Sequence, residues 1–248
     1  MPTVWMWTLA SVLLVSLISL IGVFFISINE KGLRRILFVL VSLAVGGLFG
    51  DTFIHLLPEA FRQSGGIGTG LFVLGGIFLF FILEKFLRWR HEHVLESESA
   101  VHPVGYINLF ADGVHNLLDG MIIGASYLVS IKVGLATTMA VILHEIPQEI
   151  GDFGILVHAG FSRRRALFFN FLSASVSIIG ALIALLLGFR GSSFSQFMAP
   201  LTAGGFIYIA GSDLLPELHK ESKPAQSLIQ MAAIIAGAGL MLLLTLAD

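Results

Sequence analysis

Long apolar runs separated by short charged loops are the feature that most limits what this chain can become. They lie at roughly 4–28, 36–61, 69–89, 104–129, 133–158, 165–189, 197–218 and 226–247. Each holds about the 20 residues that a helix needs to cross about 30 Å of hydrocarbon. Backbone in lipid must satisfy its own hydrogen bonds, so runs of this length predict helices rather than isolated strands. Charged residues make up 12% of the 248-residue chain and hydrophobic residues 56%, with mean hydropathy +0.92. Soluble domains carry about 25% charged residues. An ordinary soluble fold is thereby excluded. The expected fold class is all-α integral membrane, with residues 1–248 forming a single multi-pass transmembrane domain of eight helices. The first run continues to about Ile28 without a basic region before it, so it is expected to be a retained helix rather than a signal peptide. A net charge of −2 offers no basic excess for nucleic acid, and no nucleic-acid partner is expected. With no cysteine in the chain, any bound metal must rest on nitrogen and oxygen.

The loops alternate in charge. Lys31, Arg34, Arg35, Lys85, Arg88, Arg90, Arg163, Arg164, Arg165, Lys220 and Lys223 fall on one side, and Arg62, Lys132 and Arg190 on the other. The positive-inside rule makes the side with eleven basic residues cytoplasmic and both termini extracytoplasmic. The chain also repeats itself. Gly46, Gly47 and Leu56-Leu57-Pro58-Glu59 recur at Gly204, Gly205 and Leu214-Leu215-Pro216-Glu217, an offset of 158. The copies fall on the second and seventh helices, which the orientation makes antiparallel. This predicts inverted repeats, helices 1–3 and 6–8, around a central pair of helices 4 and 5, as in secondary transporters with midplane sites.

Ionisable and polar side chains are costly in hydrocarbon and mark function there. Helix 4 reads Asp112-Gly-Val-His115-Asn116-Leu-Leu-Asp119-Gly120, and helix 5 reads His144-Glu145-Ile-Pro147-Gln148-Glu149 and continues to Asp152. His115 and Asp119 share a face at i, i+4, as do His144 and Gln148 and as do Glu145 and Glu149. All sit near mid-helix and should meet at one depth. Two imidazoles, two carboxylates that cancel the ion's charge, and amide oxygens suit a borderline divalent transition metal, zinc first. Pro147 lacks an N–H, frees the Leu143 carbonyl and should kink helix 5.

These motifs resemble the ZIP family of zinc- and iron-regulated-like transporters, whose fourth helix carries HNxxDG and whose fifth carries HExPxE. His115, Asn116, Asp119, Gly120, His144, Glu145, Pro147 and Glu149 match as they stand. The segments at Gly50 to Glu59, His144 to Val157 and Gly204 to Glu217 are also similar to family segments. The resemblance implies a carrier, not an enzyme, that needs no cofactor and resides in the cell membrane, often as a homodimer. It would move Zn²⁺, and in some members Fe²⁺, Mn²⁺ or Cd²⁺, toward the cytosol by alternating access. It implies primary ligands His115, Asp119, His144, Glu145 and Gln148, with Asn116 a secondary ligand at most. Two departures stand out. Gln148 replaces a His found in the most similar branch, and Ser177 stands where two-metal members carry a carboxylate, so one dominant metal is expected.

Asp51, His55, Asp112, Glu149, Asp152 and Asp213 are candidate residues of the transport pathway. His91, His93 and His102, in the loop after helix 3, form a candidate cytoplasmic metal loop. Two rival functions start from the same residues. An intramembrane zinc protease would use His144-Glu145 as the start of HExxH, but Gln148 stands where its second His belongs. A proton- or sodium-coupled carrier without a transition metal would explain Asp119 and Glu145 and leave the two histidines without a purpose.

Overall fold

In a computed structural model, which describes residues 2–22, 30–63, 65–92, 103–188, 193–220 and 223–246, helices dominate throughout. In chain order they are α1 (Pro2–Ile18, continued by a 3₁₀ turn Ser19–Ile21), α2 (Glu30–Gly50), a π turn (Asp51–Leu56) and α3 (Leu57–Gln63). Next come α4 (Ile67–Glu92), α5 (Pro103–Val129), α6 (Ile131–His158), α7 (Arg163–Ala174) and α8 (Val176–Gly188). Last are α9 (Ser193–Tyr208), a second π turn (Ile209–Leu214), α10 (Leu215–Leu218) and α11 (Pro224–Leu246). Among the described residues, five stretches are long and apolar enough to cross a membrane on their own composition: Pro2–Ile21, Arg35–Arg62, Ile67–Lys85, Arg163–Gly188 and Pro224–Leu246. The polar pair α5 and α6 is not among them. At 27 and 28 residues they are nevertheless about 40 Å long, and other helices sheathe them. α5 packs on α8, α6 and α9, and α6 on α5, α2 and α1.

Three helix pairs are drawn together by reciprocal glycines. A Cβ at Gly120 would strike the Ser177 carbonyl and one at Gly180 the Leu117 carbonyl, which joins α5 to α8. Gly46 and Gly237 meet the Ile234 and Leu43 carbonyls between α2 and α11, and Gly76 and Gly204 meet the Leu201 and Val73 carbonyls between α4 and α9. Lipid tails are as apolar as leucine, so close backbone approach of this kind, not hydrophobic burial, supplies the packing energy.

The two π turns carry the internal repeat into three dimensions. Asp51–Leu56 and Ile209–Leu214 are offset by the same 158 residues and each stands two residues before a proline, Pro58 and Pro216. The Leu57 and Leu215 N–H groups reach back five residues, to the Thr52 and Ala210 carbonyls. A proline ring clashes with the carbonyl four residues earlier, and the widened turn makes room for it. By contrast, α6 runs unbroken through Pro147. The expected single helix at 165–189 is divided at Ser175, whose hydroxyl donates to the Phe171 carbonyl at 2.7 Å. Such back-bonding competes with the helical ladder.

The ends of the bundle follow from a few polar contacts. Ser11 pairs with Tyr127 near the end of α5, whereas Asn170 on α7 donates to the Ser19 carbonyl. Lys132, at the start of α6, donates to the Thr245 carbonyl at 2.6 Å. The start of α1 and the end of α11 therefore lie at the α5–α6 end of the bundle, with Arg163 at the other.

Candidate metal centre

The antiparallel pair α5–α6 brings four side chains to one point. His115, Asp119, His144 and Glu145 each offer one ligand atom, and these four atoms lie within 4.8 Å of one another. His144 Nε2 is 3.1 Å from Asp119 Oδ2, 3.4 Å from His115 Nε2 and 3.6 Å from Glu145 Oε1. His115 Nε2 is 3.5 Å from Glu145 Oε1 and 3.8 Å from Asp119 Oδ2. A tetrahedral ion with arms of about 2.1 Å needs ligand atoms about 3.4 Å apart. Five of the six separations in the group, 3.1, 3.4, 3.5, 3.6 and 3.8 Å, lie close to that edge length.

The electrostatics favour a cation there. Asp119 and Glu145 are completely buried, and Asp119 Oδ1 and both Glu145 oxygens lack a hydrogen-bond donor. Buried carboxylates of this kind are costly unless a positive charge faces them. His144 Nδ1 donates to the Ala140 carbonyl at 3.1 Å, which selects the tautomer that leaves the Nε2 lone pair free toward the cluster. Phe80 packs edge-on against His115, and Phe206 against His144, so apolar walls hold both rings.

A cavity of about 600 Å³ reaches the cluster, lined by His115, His144, Gln148, Asp112 and Asp152 among others. None of its lining residues comes from 120–129 of α5 or 131–143 of α6, the halves nearer the chain ends. The cavity therefore approaches the histidines from the Arg163 end.

The chain matches the ZIP Zinc transporter family over residues 3–103 and 90–245. This chain belongs to the ZIP family. It is thus a multi-pass membrane transporter and not an enzyme. Similar ZIP proteins include Zinc transporter ZIP13 of Pongo abelii, 41% identical over 222 residues, covering 84% of this chain and 66% of that protein. Zinc transporter ZIP13 of Danio rerio is 34% identical, covering 88% of this chain and 78% of that protein. Zinc transporter SLC39A7 of Mus musculus is 31% identical, covering 98% and 70%.

Of the sequence-predicted ligands in this ZIP chain, Gln148 lines the cavity together with His115 and His144. Asn116 is fully buried and donates to the Asp112 carboxylate at 2.8 Å, leaving its own Oδ1 without a partner. Ser177 is fully buried and its hydroxyl is spent on the Ala174 carbonyl and Ser16. Among the pathway candidates, Asp112 and Asp152 line the cavity, whereas Asp51, His55 and Glu149 do not. Asp51 pairs with His55 at 3.2 Å and accepts from Thr137 at 2.9 Å, all within the π turn and the facing part of α6. Glu149 is held by Asn170 of α7. Asp213 occupies the second π turn at the position equivalent to His55. His91 lies at the end of α4, while His93 and His102 lie outside the described residues.

Sequence reasoning missed four polar partners: Asn108, which donates to Asp152 at 3.0 Å, Asn170, Thr137, and the Tyr208 hydroxyl that donates to Glu84. Each is a polar residue inside an apolar run, so the cost of burying it in hydrocarbon was the available signal.

Proposed function

We propose that this ZIP-family chain carries Zn²⁺ across the cell membrane toward the cytosol, binding it through His115, Asp119, His144 and Glu145. The observation that carries this reading is the close spacing of four ligand atoms, three of them on buried side chains, beside a cavity that reaches both histidines. Gln148, beside that cavity, can turn its amide oxygen to the ion, and Asn116 supports the site through Asp112. Nitrogen and oxygen donors without thiolates suit a carrier, which must release what it binds. Fe²⁺, Mn²⁺ and Cd²⁺ are competing substrates for the same donor set.

With the basic loops cytoplasmic, the cavity opens inward, and the bundle stands in its inward-facing state. Eight crossings, with helices 1–3 and 6–8 as inverted repeats, give the two halves that alternate access requires. The equivalent π turns and the exchange of glycine contacts between α2–α11 and α9–α4 support that symmetry. Asp112 and Asp152 line the way in from the cytosol, and Asp51, His55, Glu149 and Asp213 belong to the remaining path. The family's homodimer is carried over to this chain as well, and native mass spectrometry from lipid nanodiscs tests it. Purified protein in liposomes should take up Zn²⁺ in preference to Fe²⁺, Mn²⁺ and Cd²⁺. Equal uptake by empty liposomes would refute transport.

A further inference from the structure

A second cavity, of about 400 Å³, lies in the seam between α5 and the α7–α8 arm. Phe110, Gly113 and Leu117 line it from α5, and Phe169, Leu172 and Val176 from the arm. Phe110 is 50% exposed and Leu172 53%, so the seam opens at the outer surface of the bundle. The arm belongs to the apolar stretch Arg163–Gly188, which places that opening against hydrocarbon. Among the described residues that line the seam Ser173 alone has a polar side chain, and its hydroxyl donates to the Leu109 carbonyl at 3.1 Å. A Cβ at Gly113 would meet the Ser173 hydroxyl at 3.5 Å, an ordinary contact. Packing therefore does not demand glycine there, and its missing side chain leaves the seam deep.

The seam has a charged end. Tyr106 packs edge-on against Phe161 with ring centroids 5.3 Å apart, which sets the start of α5 beside the residues that lead into α7. Tyr106 stands one turn before Phe110 and is 56% exposed. On α7, Arg165, Phe169 and Leu172 stand at i, i+4 and i+7, so the face that lines the seam carries an arginine one turn before it. Arg163, Arg164 and Arg165 are all exposed, and among the described residues none pairs with a carboxylate. They fill the first turn of α7, which holds no acidic residue, although the helix dipole favours negative charge at that end. An apolar slot at membrane depth thus ends in uncompensated positive charge, with a tyrosine at the same level as in interfacial belts.

We propose that the seam binds an anionic glycerophospholipid, one acyl chain lying between α5 and the α7–α8 arm and the phosphate pairing with the arginines of α7. A guanidinium fork matches two phosphate oxygens, and basic pockets between membrane helices recognise anionic headgroups. Free phosphate would leave the slot empty, and a neutral lipid would leave the arginines uncompensated. Val114 lines both this seam and the cavity beside the histidines, so the bound chain lies one side chain away from that cavity. The site requires the membrane-embedded fold alone and stands whichever ion the centre carries.

The test is native mass spectrometry of the full chain in detergent, titrated with phosphatidylglycerol or with phosphatidylcholine of the same acyl chains. Wild type should retain one phosphatidylglycerol at least about tenfold more tightly than phosphatidylcholine, and should not retain glycerol 3-phosphate, the headgroup without chains. One basic residue near an anionic headgroup layer is worth roughly fivefold in affinity. Arg163→Gln with Arg164→Gln and Arg165→Gln should therefore weaken phosphatidylglycerol by roughly a hundredfold, whereas Lys220→Gln with Lys223→Gln, in another basic loop, should not. Leu172→Trp, which fills the seam from an exposed position, should weaken both lipids. Should a variant fail to elute as a folded species, wild type with a phosphatidylglycerol that carries a diazirine on its acyl chain should crosslink within 109–117 and 169–176. Equal retention of the two lipids, equal loss in the lysine variant, undiminished retention by Leu172→Trp or crosslinks elsewhere would overturn the site. A wild-type dimer that Leu172→Trp converts to monomer with its lipid count unchanged would give the seam to a second copy of the chain and overturn it equally.

Discussion

The imidazole of His144 has separate roles for its two nitrogens. Nδ1 is committed to the Ala140 carbonyl, and Nε2 faces Asp119, His115 and Glu145. Replacing His144 or Asp119 by Ala removes a ligand without removing an apolar packing group. Zinc uptake into liposomes should fall to below about a hundredth of wild type, beyond the 10- to 100-fold effects of merely supporting groups. The protein should still elute as a monodisperse species in detergent. Retained uptake in the His144→Ala protein would remove His144 from the site. Protons compete with the ion for the same lone pairs, so zinc affinity should decrease as pH falls from 7.5 to 5.5, and direct titration measures it. A pH-independent affinity would mean that the imidazoles are not ligands. The clustering of these four residues was legible because their spacing put His and acidic side chains on single helix faces. Asn108, Asn170 and Thr137 were less so, because their partners lie 44, 21 and 86 residues away.

Among the elements, α5 and α8 form an interface whose closeness depends on Gly120, the residue after Asp119. A Cβ there would meet the Ser177 carbonyl, which belongs to backbone and cannot rotate aside. Gly120→Ala should therefore cost about 1–3 kcal/mol, the range for overpacking, and appear as a lower melting temperature in detergent. An unchanged melting temperature would show that the helices separate freely. The family motif's terminal glycine thus has a packing reason, which the pattern alone did not reveal. The helix limits were largely legible from hydropathy, but the break at Ser175 and the two π turns were not. Ser175 acts through a local hydroxyl–carbonyl bond, and the π turns arise where Pro58 and Pro216 meet the preceding turn.

For the molecule as a whole, the chain contains no cysteine, so single cysteines report topology without background. Thr3→Cys and Leu246→Cys should react with an impermeant thiol reagent added outside intact cells, and Arg164→Cys only after permeabilisation. This follows from the eleven-to-three division of basic residues and from the shared end at which α1 begins and α11 finishes. Labelling of Thr3→Cys and Leu246→Cys from opposite sides would defeat it.

Hydropathy and helical periodicity, both local properties of the chain, were enough to establish a helical membrane protein with a group of His and acidic residues on α5 and α6. The offset of 158 residues already implied an internal repeat. Tertiary structure alone decided which polar groups share a space. It closed His115, Asp119, His144 and Glu145 into one group, engaged Glu149 with Asn170 and left Asp112 and Asp152 facing the cavity. The reason is geometric. Periodicity assigns a side chain to a face of its own helix, but what that face meets depends on how closely helices approach, and here glycines far apart in sequence set that distance.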